Sequence, residues 1–369
     1  RIDVVDPGNP RSGEIRVNVR RIGVCGTDWH SFAGNQPFFE YPRILGHELG
    51  VEIAAIGPDT ETDLRVGDHC SVEPYLNDLQ SPASRQGKTN CCESLRVLGV
   101  HMDGGMCPHL VLPAHKLHRS ESLELDALAL VETLCIGAHG GERARLNRED
   151  SVLVIGAGPI GLSAYQFAKL EADNVTLADV SEARLQFCQK QLGIDQALLL
   201  QPGEVEAQLD ERFSGRPTVI MDATGHPGSM EQVFKLSGHG GRIVFLGIVQ
   251  GNLSFSDPEF HRKELTLLAS RNAPASTFHN VIAQLESGRV DARPRRGQGQ
   301  WNRQRRGQWR RRRSQQRLRE GNGASHDLSA AHEQPAHAHH RRGATQLLRL
   351  TASTSASGGV MRTRATRFV

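Results

Sequence analysis

Five residues near the amino terminus carry side chains that commonly bind metals or transfer protons. The segment CGTDWH places Cys25, Thr27 and His30 after a strand-like stretch, and the segment GHE places His47 and Glu48 about twenty residues later. A thiolate, an imidazole and a carboxylate are a suitable ligand set for a zinc ion that keeps one position open for water or substrate. Taken alone, each residue has a simpler interpretation as a core cysteine, a loop histidine or a solvated charge. Their conjunction, on a chain with the nucleotide motif described next, favours a catalytic zinc site.

The second chemical motif is the glycine-rich segment GAGPIG. It follows the apolar run SVLVI, precedes a helix-like stretch, and supplies Gly156, Gly158 and Gly161 at the G-x-G-x-x-G spacing. The first glycine makes a tight turn, the second lets the backbone approach a pyrophosphate, and the third permits close packing of helix on strand. Pro159 and Ile160 complete the predicted turn, and the free N–H groups at the start of the helix would bind the phosphates.

An acidic residue indicates which dinucleotide this motif binds. Asp179 ends the next apolar strand, in LADV, 23 residues after Gly156, close to the spacing of about 20 that is typical of the ribose-binding acid. A carboxylate there accepts hydrogen bonds from the adenosine ribose and repels a 2′-phosphate, so the sequence predicts NAD rather than NADP. Arg184 could weaken this preference; alternatively, it is an exposed helix residue.

The stretches that must position these motifs predict two domains of different architecture. Residues 14–24, EIRVNVRRIGV, alternate apolar and polar positions like a half-buried strand, and GVEIAAIG and HLVLPAHKLH are further β-like runs. From Ser151 onward, apolar strands alternate with helical stretches, in SVLVI, NVTLADV, TVIMDATG and RIVFLGIV. This alternation predicts a parallel sheet covered by helices. The first domain, to about residue 135, is therefore expected to be mostly β, and the second to be α/β.

Charge and cysteine content limit the other function classes. Residues before Arg293 include 26 basic and 38 acidic side chains, whereas the rest of the chain has 18 arginines, no lysine and 3 acidic side chains. We expect residues 293–369 to be a disordered, arginine-rich tail.

There is no apolar run of about 18 residues and no basic-then-apolar leader, so we expect no membrane span. Seven cysteines fit thiols in a reducing compartment, and we expect a cytoplasmic protein. The chain begins at Arg1 rather than Met, so we expect an N-terminal piece to be missing.

The motifs together resemble the zinc-dependent medium-chain dehydrogenases, which include alcohol, sorbitol and threonine dehydrogenases. The resemblance runs from GEIRVNVRRIGVCGTDWH, at about residue 13, to KELTLLASRNA, which ends at residue 273. It implies an α/β protein with a GroES-like, mostly β catalytic domain over residues 1–135 and a Rossmann domain with a doubly wound parallel sheet over residues 136–273. It also implies a return to the catalytic domain, beginning in residues 274–292, and a homodimer or homotetramer.

In this family the ligands of the catalytic zinc match Cys25, His47 and Glu48. Glu132, in LVETL, lies where polyol-type members place an acid beside the metal; alternatively, it is a helix-start carboxylate. Zinc as a Lewis acid would lower the pKa of the substrate hydroxyl and stabilise an alkoxide, whose carbon then gives hydride to the nicotinamide.

The proton released in this reaction must reach solvent. Thr27 and His30 match the family's relay, in which a hydroxyl lies next to the alkoxide and an imidazole lies at the surface. Histidine suits the outer end because its pKa lies near the working pH. Without the resemblance, His30 would be interpreted as an ordinary surface histidine.

Two positions depart from the family pattern. Members usually hold a second, structural zinc with C-x2-C-x2-C-x7-C, and the positions that precede Cys92 at this spacing are Asp78, Ser81 and Ser84. One thiolate and two hydroxyls cannot hold a structural zinc, so we predict that this site is lost. The other departure is GHELG, which puts Gly50 one residue earlier than the usual G-H-E-x-x-G.

The substrate class also follows from the resemblance. CGTD, GHE, Glu132 and the segment EPYLN at residues 73–77 are similar to the polyol and sugar-acid branch, where a water-rich, carboxylate-lined pocket suits polyhydroxylated substrates. Aromatic residues make up only 5% of the chain, which disfavours the aromatic pocket that a simple aliphatic alcohol would need. We therefore expect hydride transfer from a secondary alcohol of a polyol or sugar acid to NAD.

The arginine-rich tail allows three interpretations. Trp309 and the arginines at 310–313 could bind nucleic acid through phosphate neutralisation and stacking, or the tail could be solvated and without function. Out-of-frame translation of a GC-rich gene explains both its composition and its start, where the family's chain returns to the catalytic domain. We favour this third interpretation and expect no nucleic-acid partner. A related alternative is an inactive or truncated dehydrogenase, because loss of the returning segment would expose core surface.

Overall fold

The computed structural model of the protein describes residues 6–34, 39–213 and 215–292, and the backbone of two strands at 346–351 and 364–367. Residues 293–369, which the sequence predicts to be disordered, lie outside the described residues except for these two strands. The segment at 309–313, considered above as a nucleic-acid-binding segment, also lies outside them. None of the described helices is long and apolar enough to cross a membrane.

An antiparallel sheet forms the first domain, as the alternating patterns predict. Its strands run in the order β15-β14-β1-β2-β3-β7, and β6 also pairs with β1. A two-stranded pair, β4 with β5, lies apart from this sheet. The elements are β1 (Glu14–Val24), α1 (Gly26–Phe32), β2 (Glu48–Ile56), β3 (His69–Val72), β4 (Tyr75–Leu76), α2 (Pro82–Arg85), β5 (Arg96–Val97), β6 (His109–Pro113) and β7 (Leu117–Arg119), with β14 (Gln346–Thr351) and β15 (Arg364–Arg367) from the tail.

The first strand shows how the sequence sets the face that meets the core. Ile15, Val17 and Val19 are buried at alternate positions of β1, and their β-branched side chains pack well in a strand. A register shift after Val19 interrupts the alternation, so that Ile22 is also buried and Gly23 pairs with Glu48 of β2. The end of β1 is thereby brought against the start of β2, where the predicted metal ligands lie.

The second domain is a six-stranded, fully parallel sheet in the order β10-β9-β8-β11-β12-β13. This is the doubly wound order of a Rossmann fold, and it reverses between β8 and β11, where such sheets bind ligands. The predicted fold class is confirmed. The elements are β8 (Ser151–Ile155), α4 (Pro159–Glu171), β9 (Asn174–Asp179), α5 (Glu182–Leu192), β10 (Ala197–Leu199), α6 (Val205–Arg212), β11 (Val219–Asp222), α7 (Pro227–Leu236), β12 (Arg242–Phe245), α8 (Asp257–Arg262) and β13 (Thr266–Ala269).

Two further helices, α3 (Leu125–Ala144) and α9 (Ala275–Glu286), connect the two domains. Helix α3 runs through the predicted boundary at residue 135 and packs on β2, on α4 and on α9. Helix α9 follows the parallel sheet but places Phe278 against Tyr75 and His118 of the first domain. The boundaries at 135 and 273 stay a prediction, since these helices pack on both domains.

Candidate active site

The loop between β1 and α1 positions Cys25. Cys25 is the N-cap of α1: its Sγ accepts a hydrogen bond from the backbone N–H of Thr27 at 3.2 Å, and its own N–H donates to Asp28 at 3.0 Å. The second oxygen of this buried carboxylate accepts from the N–H of Gly46 at 3.1 Å. Asp28 thus joins the two loops that carry Cys25 and His47. Asp28 has no role among the sequence predictions, although its place three residues after the capping residue Cys25 matches a capping box.

His47 lies directly beside the thiol. The distance from Cys25 Sγ to His47 Nε2 is 3.0 Å, and the imidazole is buried. The other ring nitrogen, Nδ1, is 3.7 Å from Asp28 Oδ1, beyond a normal hydrogen bond, and has no hydrogen-bond partner within the described ranges. A carboxylate on that side of the ring is suited to orienting an imidazole whose Nε2 binds a metal.

Two carboxylates complete the cluster. Glu48, at the start of β2, and Glu132, in α3, are buried, and each offers an oxygen within 4.8 Å of a His47 ring nitrogen and of the other carboxylate. Cys25, Asp28 and His47 form a second such group that shares His47. Glu48 Oε2 is buried and has no hydrogen-bond partner in the part of the chain that the structure describes. A buried, unsatisfied carboxylate oxygen beside a thiol and an imidazole is a donor set that a zinc ion fits.

Gly23 makes room for the Glu48 side chain. A Cβ built on Gly23 would lie 1.9 Å from Glu48 Oε2, a distance that no side-chain contact tolerates. We expect Gly23→Ala to displace the carboxylate and weaken zinc binding by about tenfold, the lower end of the losses seen when the groups around a metal are disturbed. Competition with a chelating dye measures the zinc dissociation constant. Gly141→Ala in α3, where the nearest atom would be 3.5 Å away, is the control and should bind zinc as the wild type does; equal affinities of all three proteins would contradict the prediction.

When no metal is bound, the electrostatics of the cluster favour the protonated forms of its side chains. Burial, and after it the negative charge of Glu132, raises the pKa of Glu48 to about 8, although the neighbouring His47 opposes the shift. Burial likewise raises the pKa of Glu132, and burial followed by the charge of Glu48 raises the pKa of Cys25. For His47, burial lowers the pKa, but the charges of Glu132, Asp28 and Glu48 outweigh it, so the pKa is raised. A metal that binds here must displace these protons.

The stability of the metal-free protein should therefore depend on pH. Because the folded-state pKa of Glu48 is raised from 4.5 to about 8, its contribution is present below the unfolded pKa and is lost as pH rises through the folded pKa. We expect the urea midpoint of chelator-treated protein to fall between about pH 5 and pH 8. Glu48→Gln should flatten this dependence, whereas the exposed Glu149→Gln should keep it. An unchanged slope in Glu48→Gln would show that another group is responsible.

The proposed relay residues lie on α1. Thr27 is half-buried next to Cys25, and its carbonyl accepts a hydrogen bond from Ser31 Oγ at 2.7 Å. His30 is exposed one turn later. The Thr27 hydroxyl is thus on the inner side and the His30 imidazole on the outer side, as a proton relay requires. The role of the two residues in proton transfer stays a prediction.

The glycine-rich turn lies at the carboxyl end of β8, beside the switch point of the sheet. Gly156 has a φ of +106°, and a Cβ on Gly161 would lie 1.7 Å from the Gly156 carbonyl oxygen. Gly158 is the N-cap of α4 and Pro159 occupies its first turn, followed by the half-buried Ile160. The first and third glycines are therefore required by the backbone, and the N–H groups of α4 are open to a ligand.

Asp179 ends β9 next to this turn, as the sequence predicts. Its Oδ2 accepts a hydrogen bond from the N–H of Ala157 at 2.7 Å, and its Oδ1 accepts from the N–H of Ser181 at 2.8 Å. Arg184, half exposed, lies 3.4 Å from Oδ2. Arg184 is thus an ion-pair partner of the acid, and the ribose role of Asp179 stays a prediction.

The residues at the four positions of the family's structural zinc site lie close together. Cys92 Sγ accepts a hydrogen bond from the N–H of Asp78 at 3.3 Å, and Ser81 Oγ lies 2.9 Å from Ser84 Oγ. Asn77 donates to Ser84 Oγ at 3.0 Å. Hydrogen bonds among these side chains, and one from the backbone of Asp78 to Cys92, hold this segment together.

Metal analysis tests the loss of the structural site. We expect about one zinc per subunit in purified protein, because neutral hydroxyls are poor ligands for a tetrahedral structural site. Inductively coupled plasma mass spectrometry measures the ratio. Ser81→Ala should leave that ratio unchanged, and a ratio of two that falls in this variant would refute the assignment.

The early glycine of GHELG has a packing reason. Gly50 lies in β2 against the first turn of α3, and a Cβ there would lie 2.4 Å from the Leu125 carbonyl oxygen. The helix that carries Glu132 can approach β2 only because this position has no side chain.

Comparison with known protein families agrees with both domains. The alcohol dehydrogenase GroES-like domain matches residues 11–122, and the zinc-binding dehydrogenase domain matches residues 159–287. L-galactonate-5-dehydrogenase of Escherichia coli K12 is 41% identical over 286 residues, which cover 77% of this chain and 83% of that protein. D-altritol 5-dehydrogenase of Agrobacterium fabrum is 31% identical over 294 residues, covering 75% and 85%.

Solved structures show the same architecture. The alcohol dehydrogenase RspB from Escherichia coli CFT073, solved with NADH, is 32% identical and superimposes with a TM-score of 0.73 over 78% of this chain and 84% of that one. Galactitol-1-phosphate dehydrogenase from Escherichia coli is 25% identical, with a TM-score of 0.73 over 79% of this chain and 87% of that one.

Proposed function

Because the chain belongs to the zinc-dependent medium-chain dehydrogenases, in their polyol and sugar-acid branch, we propose that it oxidises a secondary alcohol of a sugar acid or polyol with NAD. The convergence of Cys25, His47, Glu48 and Glu132 in one buried cluster carries the proposal. The glycine turn at the carboxyl edge of the parallel sheet supports the choice of a dinucleotide as hydride acceptor.

The chain's own residues have separate tasks in this reaction. Cys25, His47 and Glu48 would hold the metal, with the Glu132 carboxylate in the same cluster, and Asp28 would orient His47. Bound zinc supplies a Lewis acid that lowers the pKa of a substrate hydroxyl. The half-buried Thr27 hydroxyl would accept the released proton while it gives its own proton toward His30, and the exposed His30 imidazole would pass a proton to solvent.

The second domain binds and orients the cofactor. The N–H groups at the start of α4 bind the pyrophosphate, and Gly158 leaves open space for it, since nothing lies within 4 Å of a Cβ built there. Asp179 accepts hydrogen bonds from the adenosine ribose through lone pairs that its backbone contacts leave free. This choice of NAD is supported by the relative that was solved with NADH.

Between the two substrate classes, we favour a sugar acid. The relative that is 41% identical is named for L-galactonate, whereas the relative named for the polyol D-altritol is 31% identical. A panel of aldonic acids and polyols, each with zinc-loaded full-length protein and NAD at alkaline pH, tests this by following NADH formation. Turnover of aldonic acids alone would support the proposal, turnover of polyols alone would overturn the substrate class, and no turnover of either would overturn the activity.

Family membership also supports three proposals about the assembly, location and domain organisation of the protein. We propose a homodimer or homotetramer, a cytoplasmic location, and domain boundaries near residues 135 and 273 with a return to the catalytic domain in 274–292. The packing of Phe278 on Tyr75 and His118 supports the last of these.

A further inference from the structure

The buried carboxylate of Glu132 has a neighbour that the family resemblance does not assign. The phenol of Tyr75 donates a hydrogen bond to Glu132 Oε1, and both side chains are buried. Tyr75 is 2% exposed and begins the short strand β4, whereas Glu132 belongs to α3. The hydrogen bond therefore joins the metal cluster to β4, a strand that contributes none of the proposed metal ligands.

The segment around Tyr75 is held on both sides. Lys116 Nζ donates to Glu73 Oε1 at 2.5 Å and to Asn77 Oδ1 at 2.8 Å, so one ammonium group binds the residues two before and two after the tyrosine. His118 Nε2 lies 3.2 Å from the other oxygen of Glu73. Lys116, Glu73 and His118 are each at most 4% exposed, so this network is shielded from water and resists rearrangement.

The ring of Tyr75 is fixed as well. It packs edge-on against Phe278 of α9, with the ring centroids 6.1 Å apart and the planes at 73°. A phenol that is held at its backbone and at its ring has little freedom to follow a moving partner. Its hydroxyl therefore imposes an orientation on the carboxylate that it contacts, and not the reverse.

We propose that Tyr75 is a positioning residue of the metal centre, whose hydroxyl holds the Glu132 carboxylate in one orientation beside His47 and Glu48. The inference rests on the proposed zinc site. Buried groups that orient metal ligands typically contribute 10–100-fold to metal affinity or activity. A carboxylate that is free to rotate would lose this pre-organisation without any change in the ligand set.

Tyr75→Phe tests the inference because it removes only the hydroxyl and keeps the ring on Phe278. In full-length protein, we expect the zinc dissociation constant, measured by chelator competition, to rise by about 10–100-fold. The visible spectrum of the cobalt-substituted protein should also change, because it reports ligand geometry. Ser71→Ala is the matched control: its hydroxyl is buried in β3 and has no hydrogen-bond partner among the described residues, so it should alter neither reading.

A double-mutant cycle separates positioning from loss of fold. If Tyr75 acts through Glu132, Tyr75→Phe should change zinc affinity by less than about twofold when Glu132→Gln is already present. An equal loss in both backgrounds, or an unchanged affinity and cobalt spectrum in Tyr75→Phe alone, would overturn the inference while the wild type still binds zinc. A wild type without measurable zinc affinity would instead overturn the proposed metal site, and this inference with it.

Discussion

Cys25→Ser is expected to abolish zinc binding and dehydrogenase activity together. A serine hydroxyl does not supply the thiolate that zinc prefers, and the remaining donors of the cluster, His47, Glu48 and Glu132, include no soft ligand that could replace it. Loss of a Lewis acid that stabilises the transition state by several kcal/mol corresponds to a fall in kcat/KM of at least about a thousandfold. Zinc content by mass spectrometry and NADH formation with the best substrate of the panel measure the two effects.

The chain offers a matched control for this substitution. Cys91 is an exposed free cysteine outside the cluster, and Cys91→Ser should retain both zinc and turnover. If Cys25→Ser kept its zinc and more than about a tenth of its turnover, Cys25 would not be a ligand. If it lost turnover but kept zinc, the thiol would act in another way than as a ligand.

Much of the scaffold follows from the sequence because it depends on local patterns. Alternating apolar residues predicted β1 with the bounds that the structure gives, and the glycine spacing predicted the turn between β8 and α4. The run HLVLPAHKLH was expected to be one β-like stretch, but it forms β6 and β7 with a single turn of 3-10 helix between them. Pro113 at the end of β6 explains the break, because proline cannot continue the ladder.

The contacts within the site were harder to predict from the sequence, because the residues that make them are distant in the chain. Tyr75 contacts a carboxylate 57 residues away, and no periodic pattern links the two. Gly23 matters only because a register shift in β1 turns it toward Glu48. Asp28 could have been recognised from its spacing after Cys25, but its bond to Gly46 depends on how two loops pack. Residue types indicate which chemistry is available, whereas strand register and loop packing decide which residues meet.

Asp179→Ser is expected to change the choice between the two nicotinamide cofactors. The shortened side chain cannot reach the ribose hydroxyls, and each hydrogen bond to a charged group is worth about 1.5–3 kcal/mol. We therefore expect the KM for NAD to rise by about 10–100-fold, while the KM for NADP falls because the repulsion of its 2′-phosphate is removed. Initial rates with both cofactors at a saturating substrate concentration give the two constants.

The ratio of the two constants distinguishes cofactor choice from structural damage. Asp179 also accepts the N–H of Ala157, so its loss unsettles the glycine turn, but that damage weakens NAD and NADP alike. Only a ribose contact makes the loss selective for NAD. Asp173→Ser is the control, because this exposed acid pairs with Arg148 at the surface, and it should leave the ratio unchanged. A parallel rise in both constants would assign Asp179 to the support of the turn and leave the preference for NAD to other residues.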